Sequence, residues 1–133
     1  MINVNSNKNF VENDTSGTLK ERIFKFIEKY NFGVTFAELE HHFGEEIKGT
    51  KYIASALNHN VIFWVDLSHE FIEAYRELFY EKKIEIKNFG VATYLCYVYD
   101  QKTLNMPLVQ GARNYKTPHW MPVEINTTII GEN

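Results

Sequence analysis

The side chains able to bind a metal or move a proton are few and scattered. His41-His42, and the group His69, Glu70 and Glu73, are the places where metal-ligating residue types stand close in sequence. Adjacent histidines on a helix point about 100° apart, and His69 with Glu73 at i, i+4 supplies two ligands where structural zinc takes four and catalytic zinc three. Solvated helix faces account for both groups better, so no metal and no cofactor is expected. The sole cysteine, Cys96, forms no internal disulfide, and a lone thiol in an apolar stretch reads as packing. There is no Gly-rich phosphate cradle and no nucleophile elbow. Carboxylates are plentiful only on amphipathic stretches, where a charged solvent face is the default. No catalytic residue is assigned, and an enzyme is not expected.

The chemistry left is that of recognition. The net charge is −3 and the isoelectric point about 5.9, whereas duplex-binding domains are commonly basic, because counterion release supplies most of their non-specific affinity. With Phe71 at zero on a helical wheel, Ile72, Tyr75, Leu78 and Phe79 fall within about 100° of it and form a core stripe. The opposite face presents Glu70, Glu73, Glu77, Tyr80 and Glu81, with Arg76 its one cation, and suits a basic protein better than phosphates. Tyr115, Lys116, His119 and Trp120 are a second protein-docking candidate, since aromatics beside cations are favoured at interfaces. The alternative is that Trp120 and Met121 plug the edge of the core. Candidates for DNA are Lys51, Ser55 and Asn58, should 51–58 be a recognition helix, with Lys82 and Lys83 at a helix end and Lys87 and Asn88 at a wing.

The elements that must position these residues begin after a polar, aperiodic arm, residues 1–17, expected to be flexible. Thr18-Leu-Lys-Glu21 has the form of a capping box and opens a helix to about Tyr30, and Thr35-Phe-Ala-Glu38 repeats it for a second helix ending at Gly44. Residues 45–60 read either as a short helix or as one strand of a hairpin. Val61–Val65, β-branched and aromatic, is a strand, and Ser68 caps a longer helix to about Lys82. Ile84–Lys87, a turn at 88–90 and Ala92–Tyr99 predict a β-hairpin. Leu104–Val109 and Val123–Ile130 are expected as short C-terminal strands.

With 133 residues, 44% hydrophobic and 15% aromatic, one core and one domain over 18–133 are expected. No apolar run reaches the length of a membrane span, and the segment MINVNSNKNF has no signal-peptide pattern, so a cytoplasmic protein is expected.

The order helix, helix, strand, long helix, hairpin over about residues 18–100 resembles winged helix-turn-helix domains. Ile62-Phe-Trp-Val-Asp-Leu-Ser68 and Lys116-Thr-Pro-His-Trp-Met-Pro-Val123 resemble segments of small uncharacterised proteins of Gram-positive phages and pathogenicity islands. The resemblance implies an α+β, winged-helix-like fold of three helices with a β-hairpin wing and extra C-terminal strands. For function it implies a regulatory or inhibitory binding module of a phage or mobile element, with a protein partner favoured over duplex DNA.

Because the histidines are scattered, protein purified without a histidine tag should carry no stoichiometric metal. Elemental analysis checks this, and about one zinc per chain would make His41, His42 or His69 ligands.

Overall fold

Two capping boxes set the first two helices in the computed structural model, which describes residues 16–31 and 33–128. The Thr18 hydroxyl accepts the Glu21 N–H at 3.1 Å and the Glu21 carboxylate accepts the Thr18 N–H at 2.9 Å, opening α1 (Leu19–Lys29). Thr35 and Glu38 exchange the same pair at the start of α2 (Phe36–Phe43). Two orphan donors are thereby satisfied at each helix start. The arm expected at residues 1–17 falls mostly at 1–15, outside the described residues, as do Phe32 and the end of the strand expected to reach Ile130.

Val34–Thr35 forms a short strand, β1, directly before α2. A 3-10 turn, Gly44–Ile47, then leads into β2 (Lys48–Ala54), and a turn over 55–60 returns the chain as β3 (Val61–Leu67). The Ser68 hydroxyl caps α3 (His69–Tyr80) by accepting the Phe71 N–H, and β4 (Ile84–Lys87), α4 (Val91–Tyr99), β5 (His119–Trp120) and β6 (Glu124–Thr127) follow. The strands make two three-stranded sheets, in the orders β1-β6-β4 and β2-β3-β5. The first is antiparallel; in the second, β2 runs antiparallel to β3, and β5 runs parallel to it, with Val61 opposite His119 and Ile62 opposite Trp120.

The α+β class holds, with four helices among the described residues where three were expected. The wing hairpin is not formed. Ala92–Tyr99, read as a return strand from its β-branched and aromatic composition, lies within α4, and the partner of β4 is the distant β6, Ile86 facing Ile125. Lys51 and its neighbours belong to strand β2, so a recognition helix over 51–58 is excluded and the hairpin alternative stands. Leu108 is joined to Trp120 by a single parallel bridge, which is all that the strand expected over Leu104–Val109 amounts to.

Trp64 on β3 ties the layers together. Its ring lies beside Phe36 of α2 (6.2 Å between centroids), Tyr97 of α4 (5.2 Å) and Trp120 of β5 (6.0 Å). Its indole N–H donates to Glu40 Oε2 at 2.8 Å, and the other oxygen of that carboxylate meets Lys102 Nζ at 3.1 Å. Tyr97, fully buried, donates its hydroxyl to the Val123 carbonyl at 2.7 Å and accepts the Phe36 N–H at 3.1 Å. Gly33, at φ +104°, lies where a Cβ would stand 2.0 Å from Glu124 Oε1, so the chain entering β1 has room for glycine alone.

Burial holds the hydroxyls of Tyr75 and Tyr97 well above the ordinary tyrosine value, with desolvation of the phenolate the main cause. Both are neutral when folded, so their contribution to stability is complete below about pH 10, the unfolded value, and is lost as pH rises towards the raised folded values. Each should remove up to about 1.4 kcal/mol per pH unit above that point. Tyr97→Phe leaves a buried N–H and carbonyl unpaired and should destabilise by about 1–3 kcal/mol near neutrality, yet make the alkaline loss shallower. Urea melts of both proteins across the alkaline range check the sign; an equal slope in the two would refute it.

Candidate functional site

The acidic face of α3 is formed, though its carboxylates are not equivalent. Glu77 and Glu81 both bind Lys20 of α1, at 3.1 and 2.7 Å, and form a clamp between the two helices. Hydrogen bonds donated to Glu81 and then Glu77 raise the Lys20 pKa, and the same bond from Lys20 lowers that of Glu81. Glu70, Glu73 and Arg76 are exposed, and Tyr80 is 71% exposed at the end of the same face. The surface open to a partner is therefore Glu70, Glu73, Arg76 and Tyr80, with the clamp at its side.

The second protein-docking candidate is not assembled. Trp120 is 1% exposed and donates its indole N–H to the Phe63 carbonyl at 3.2 Å. Tyr115 is 7% exposed, its hydroxyl donating to the Gly111 carbonyl and accepting the Gln110 N–H, both at 2.7 Å. His119 is half-buried against the Tyr115 ring, which leaves Lys116 as the exposed member of the four. These aromatics close the core edge: two prolines within 117–122 hold the segment extended, and β5 docks it beside β3.

The DNA candidates are spread over separate features. Lys51 is exposed on edge strand β2, in a run from Lys48 to Tyr52 that is exposed throughout. Asn58 braces the following turn, donating to the Tyr115 carbonyl at 3.3 Å and accepting the Asn60 N–H at 2.9 Å, while Ser55 Oγ accepts the Leu57 N–H. Ser55, Asn58, His59, Asn114 and Lys116 meet around a hollow of about 430 Å³. Lys82 sits at φ +61° in the turn that ends α3, Lys83 lies over the Phe24 ring and 3.9 Å from Glu81, and Lys87 pairs with Glu85 at 3.3 Å. Asn88 fixes the entry to α4, donating to the Pro122 carbonyl at 2.6 Å and accepting the Gly90 N–H at 3.0 Å. No single row of cations results from these positions.

His41 and His42 line a larger hollow of about 870 Å³, with Phe26, Tyr30, Glu45 and Lys102 among its other walls. The His42 ring lies 4.5 Å from that of Phe26. Among the described residues no group of three or more His, Cys, Asp or Glu side chains is placed to hold a metal ion, and no helix is long and apolar enough to cross a membrane.

Sequence reasoning missed α4. Its polar side chains Thr93 and Tyr97 point inward, Thr93 donating to Glu124 Oε2 at 2.9 Å, while Val91, Leu95, Val98 and Tyr99 stand exposed, Tyr99 at 88%. The signal was present as the absence of any charged residue or histidine from Asn88 to Tyr99. No known protein family, curated protein or solved structure matches this chain.

Trp120→Ala should lose about 3–5 kcal/mol of stability, the range for a large buried aromatic, while Lys116→Ala should stay within about 0.5 kcal/mol of wild type. Thermal melts separate the two, and a Trp120→Ala protein as stable as wild type would return Trp120 to the docking candidates.

Proposed function

We propose that this chain is a non-catalytic binding module of a phage or other mobile element, acting in the cytoplasm, that regulates or inhibits a basic protein partner through the outer face of α3. The observation that carries the reading is that face itself: Glu70 and Glu73 are exposed on the first turns of α3 and Tyr80 at its end, with Arg76 between them, and Lys20 engages Glu77 and Glu81. An exposed aromatic offers contact area with little loss of side-chain freedom, and carboxylates farther along the same helix steer a cationic surface towards it. The mobile-element origin rests on the resemblance of 62–68 and 116–123 alone. The winged-helix-like order belongs to the same proposal, running from α1 through β4 with α4 in the place of the wing's second strand.

Duplex DNA is the second reading, favoured by one observation, the meeting of Ser55, Asn58, His59 and Lys116 at one hollow next to β2. The charge of α3 opposes it, because a helix face rich in carboxylates repels the phosphate backbone.

The discriminating variant is Glu70→Lys with Glu73→Lys. Glu77 is left in place, because its reversal would break the Lys20 clamp and disturb the fold. Loss of the first-turn charge at Glu70 costs about 0.3–1 kcal/mol, so the variant should fold. A pull-down from nuclease-treated lysate should lose a basic protein partner with this variant, and wild-type binding to duplex should be weak. Wild-type duplex binding that falls steeply between roughly 50 and 200 mM salt, and weakens on Lys51→Ala or Lys116→Ala, would replace the protein reading with the DNA reading.

A further inference from the structure

Among the described residues, the buried side-chain oxygen that lacks a hydrogen bond is Glu40 Oε1. The Glu40 side chain is 9% exposed, and its other oxygen is taken by the Trp64 indole N–H. Lys102 Nζ stands 3.1 Å from Oε1 and supplies charge there, yet its approach lacks hydrogen-bond geometry. The Lys102 backbone is fixed, its N–H donating to the Tyr97 carbonyl at 3.0 Å, whereas its side chain is 53% exposed and can swing into water. A buried acceptor short of a donor points to a partner that the chain itself does not supply. Glu40 and Lys102 both line the hollow of about 870 Å³ beside α2, a volume within the roughly 300–1,000 Å³ of small-molecule sites.

We propose that this hollow binds a small organic ammonium, an amine with an apolar body, whose charged end takes the place of Lys102 at Glu40 Oε1. The Lys102 ammonium is the chain's own stand-in for that group: a cationic nitrogen already rests at the carboxylate, held by charge without the hydrogen bond that a better-placed N–H would make. The sign of the ligand follows from the walls. Besides His41 and His42, the charged side chains around the hollow are four carboxylates, Glu38, Glu40, Glu45 and Asp100, against two lysines, Lys48 and Lys102. The excess of acids disfavours an anion and grows by one when Lys102 swings out. An ammonium suits the position better than a guanidinium, because the Trp64 indole holds Oε2 and the two-pronged fork of a guanidinium would find a single oxygen. Phe26, Tyr30 and Ala37 bound the same hollow and provide the apolar surface for the rest of the ligand.

The site is independent of the function assigned to α3, none of whose residues lines the hollow. Phenethylamine is the probe, with phenethyl alcohol as its uncharged counterpart and ammonium chloride as the cation without a body. The NMR signal of the Trp64 indole proton, bonded to the same carboxylate, reports on the site during a titration of the full chain. Phenethylamine should shift that signal in wild type at millimolar concentration, and should bind Lys102→Met about tenfold more tightly if the swung-out lysine is about one state in ten. Lys102→Met should melt below wild type, because Glu40 loses its counter-charge, and phenethylamine should raise that melting temperature while neither control does. Glu40→Gln keeps an acceptor for the Trp64 indole and should bind no probe. Absence of binding to both wild type and Lys102→Met overturns the proposal, as does binding that survives Glu40→Gln. Equal stabilisation by ammonium chloride would reduce the site to a bare cation position, and equal stabilisation by phenethyl alcohol to an apolar hollow; either overturns it. Should a variant fail to fold, the comparison of the three compounds on wild type decides alone.

Discussion

A single phenol hydroxyl holds three parts of the chain in place. Tyr97 donates to the Val123 carbonyl just ahead of β6 and accepts the Phe36 N–H at the start of α2, and its ring lies against Trp64 and Trp120 of the other sheet. A tyrosine is the side chain suited to this position, because its ring contributes to the aromatic core while its hydroxyl both gives and receives a hydrogen bond. The two sheets share no strand, and this helix is among the elements that bind one to the other. Once Tyr97 is fixed inward, Thr93 one turn earlier must face inward too, and it meets the Glu124 carboxylate there. The outward positions are then set by the helical period alone.

That constraint explains the inverted amphipathicity of α4. An ordinary surface helix turns leucines in and polar groups out, and here the inner contacts are hydrogen-bonded. Burying Glu124 and Glu40 is tolerable because each carboxylate is met: Glu124 by the Thr93 hydroxyl, Glu40 by the Trp64 indole and the Lys102 ammonium. Lys102 follows α4 within three residues, so the turn that ends the helix also neutralises a half-buried acid of α2. Partly buried polar ties of this kind are costly to break and narrow the ways in which α4 can sit.

Much of the first half of the fold is legible from local chemistry. Thr18 with Glu21, Thr35 with Glu38, and Ser68 act through hydrogen bonds within three residues, so their effect is written in the sequence next to them. The strand at Val61 is legible for the same reason, since its whole run is β-branched and aromatic. Residues 92–99 share that composition and are a helix. What decides them is non-local: β6, nearly forty residues on, takes the edge of β4 that a return strand would need, and Asn88 ties the turn to Pro122. Propensity measures fit to a half-buried pleated surface, and when another strand occupies that surface the preference has nothing to act on. The stops of α3 and α4 carry no local signal either. Lys82 and Gln101 take the left-handed position after each helix where glycine is usual, so no residue type announces the stop.

The placement of the site candidates follows the same rule. Trp120 and Tyr115 have the composition of an interface, yet aromatic side chains serve cores equally well, and only the position of β5 beside β3 decides between the two. The α3 acids lie on one helix face as the wheel places them, because a helix preserves the angular relation between residues seven apart whatever surrounds it, although Lys20, fifty-seven residues away from Glu77, was beyond any local inspection. Charge and apolarity are thereby divided between different helices. A field of carboxylates reaches about a Debye length and is screened by salt, whereas an apolar face acts only at contact range.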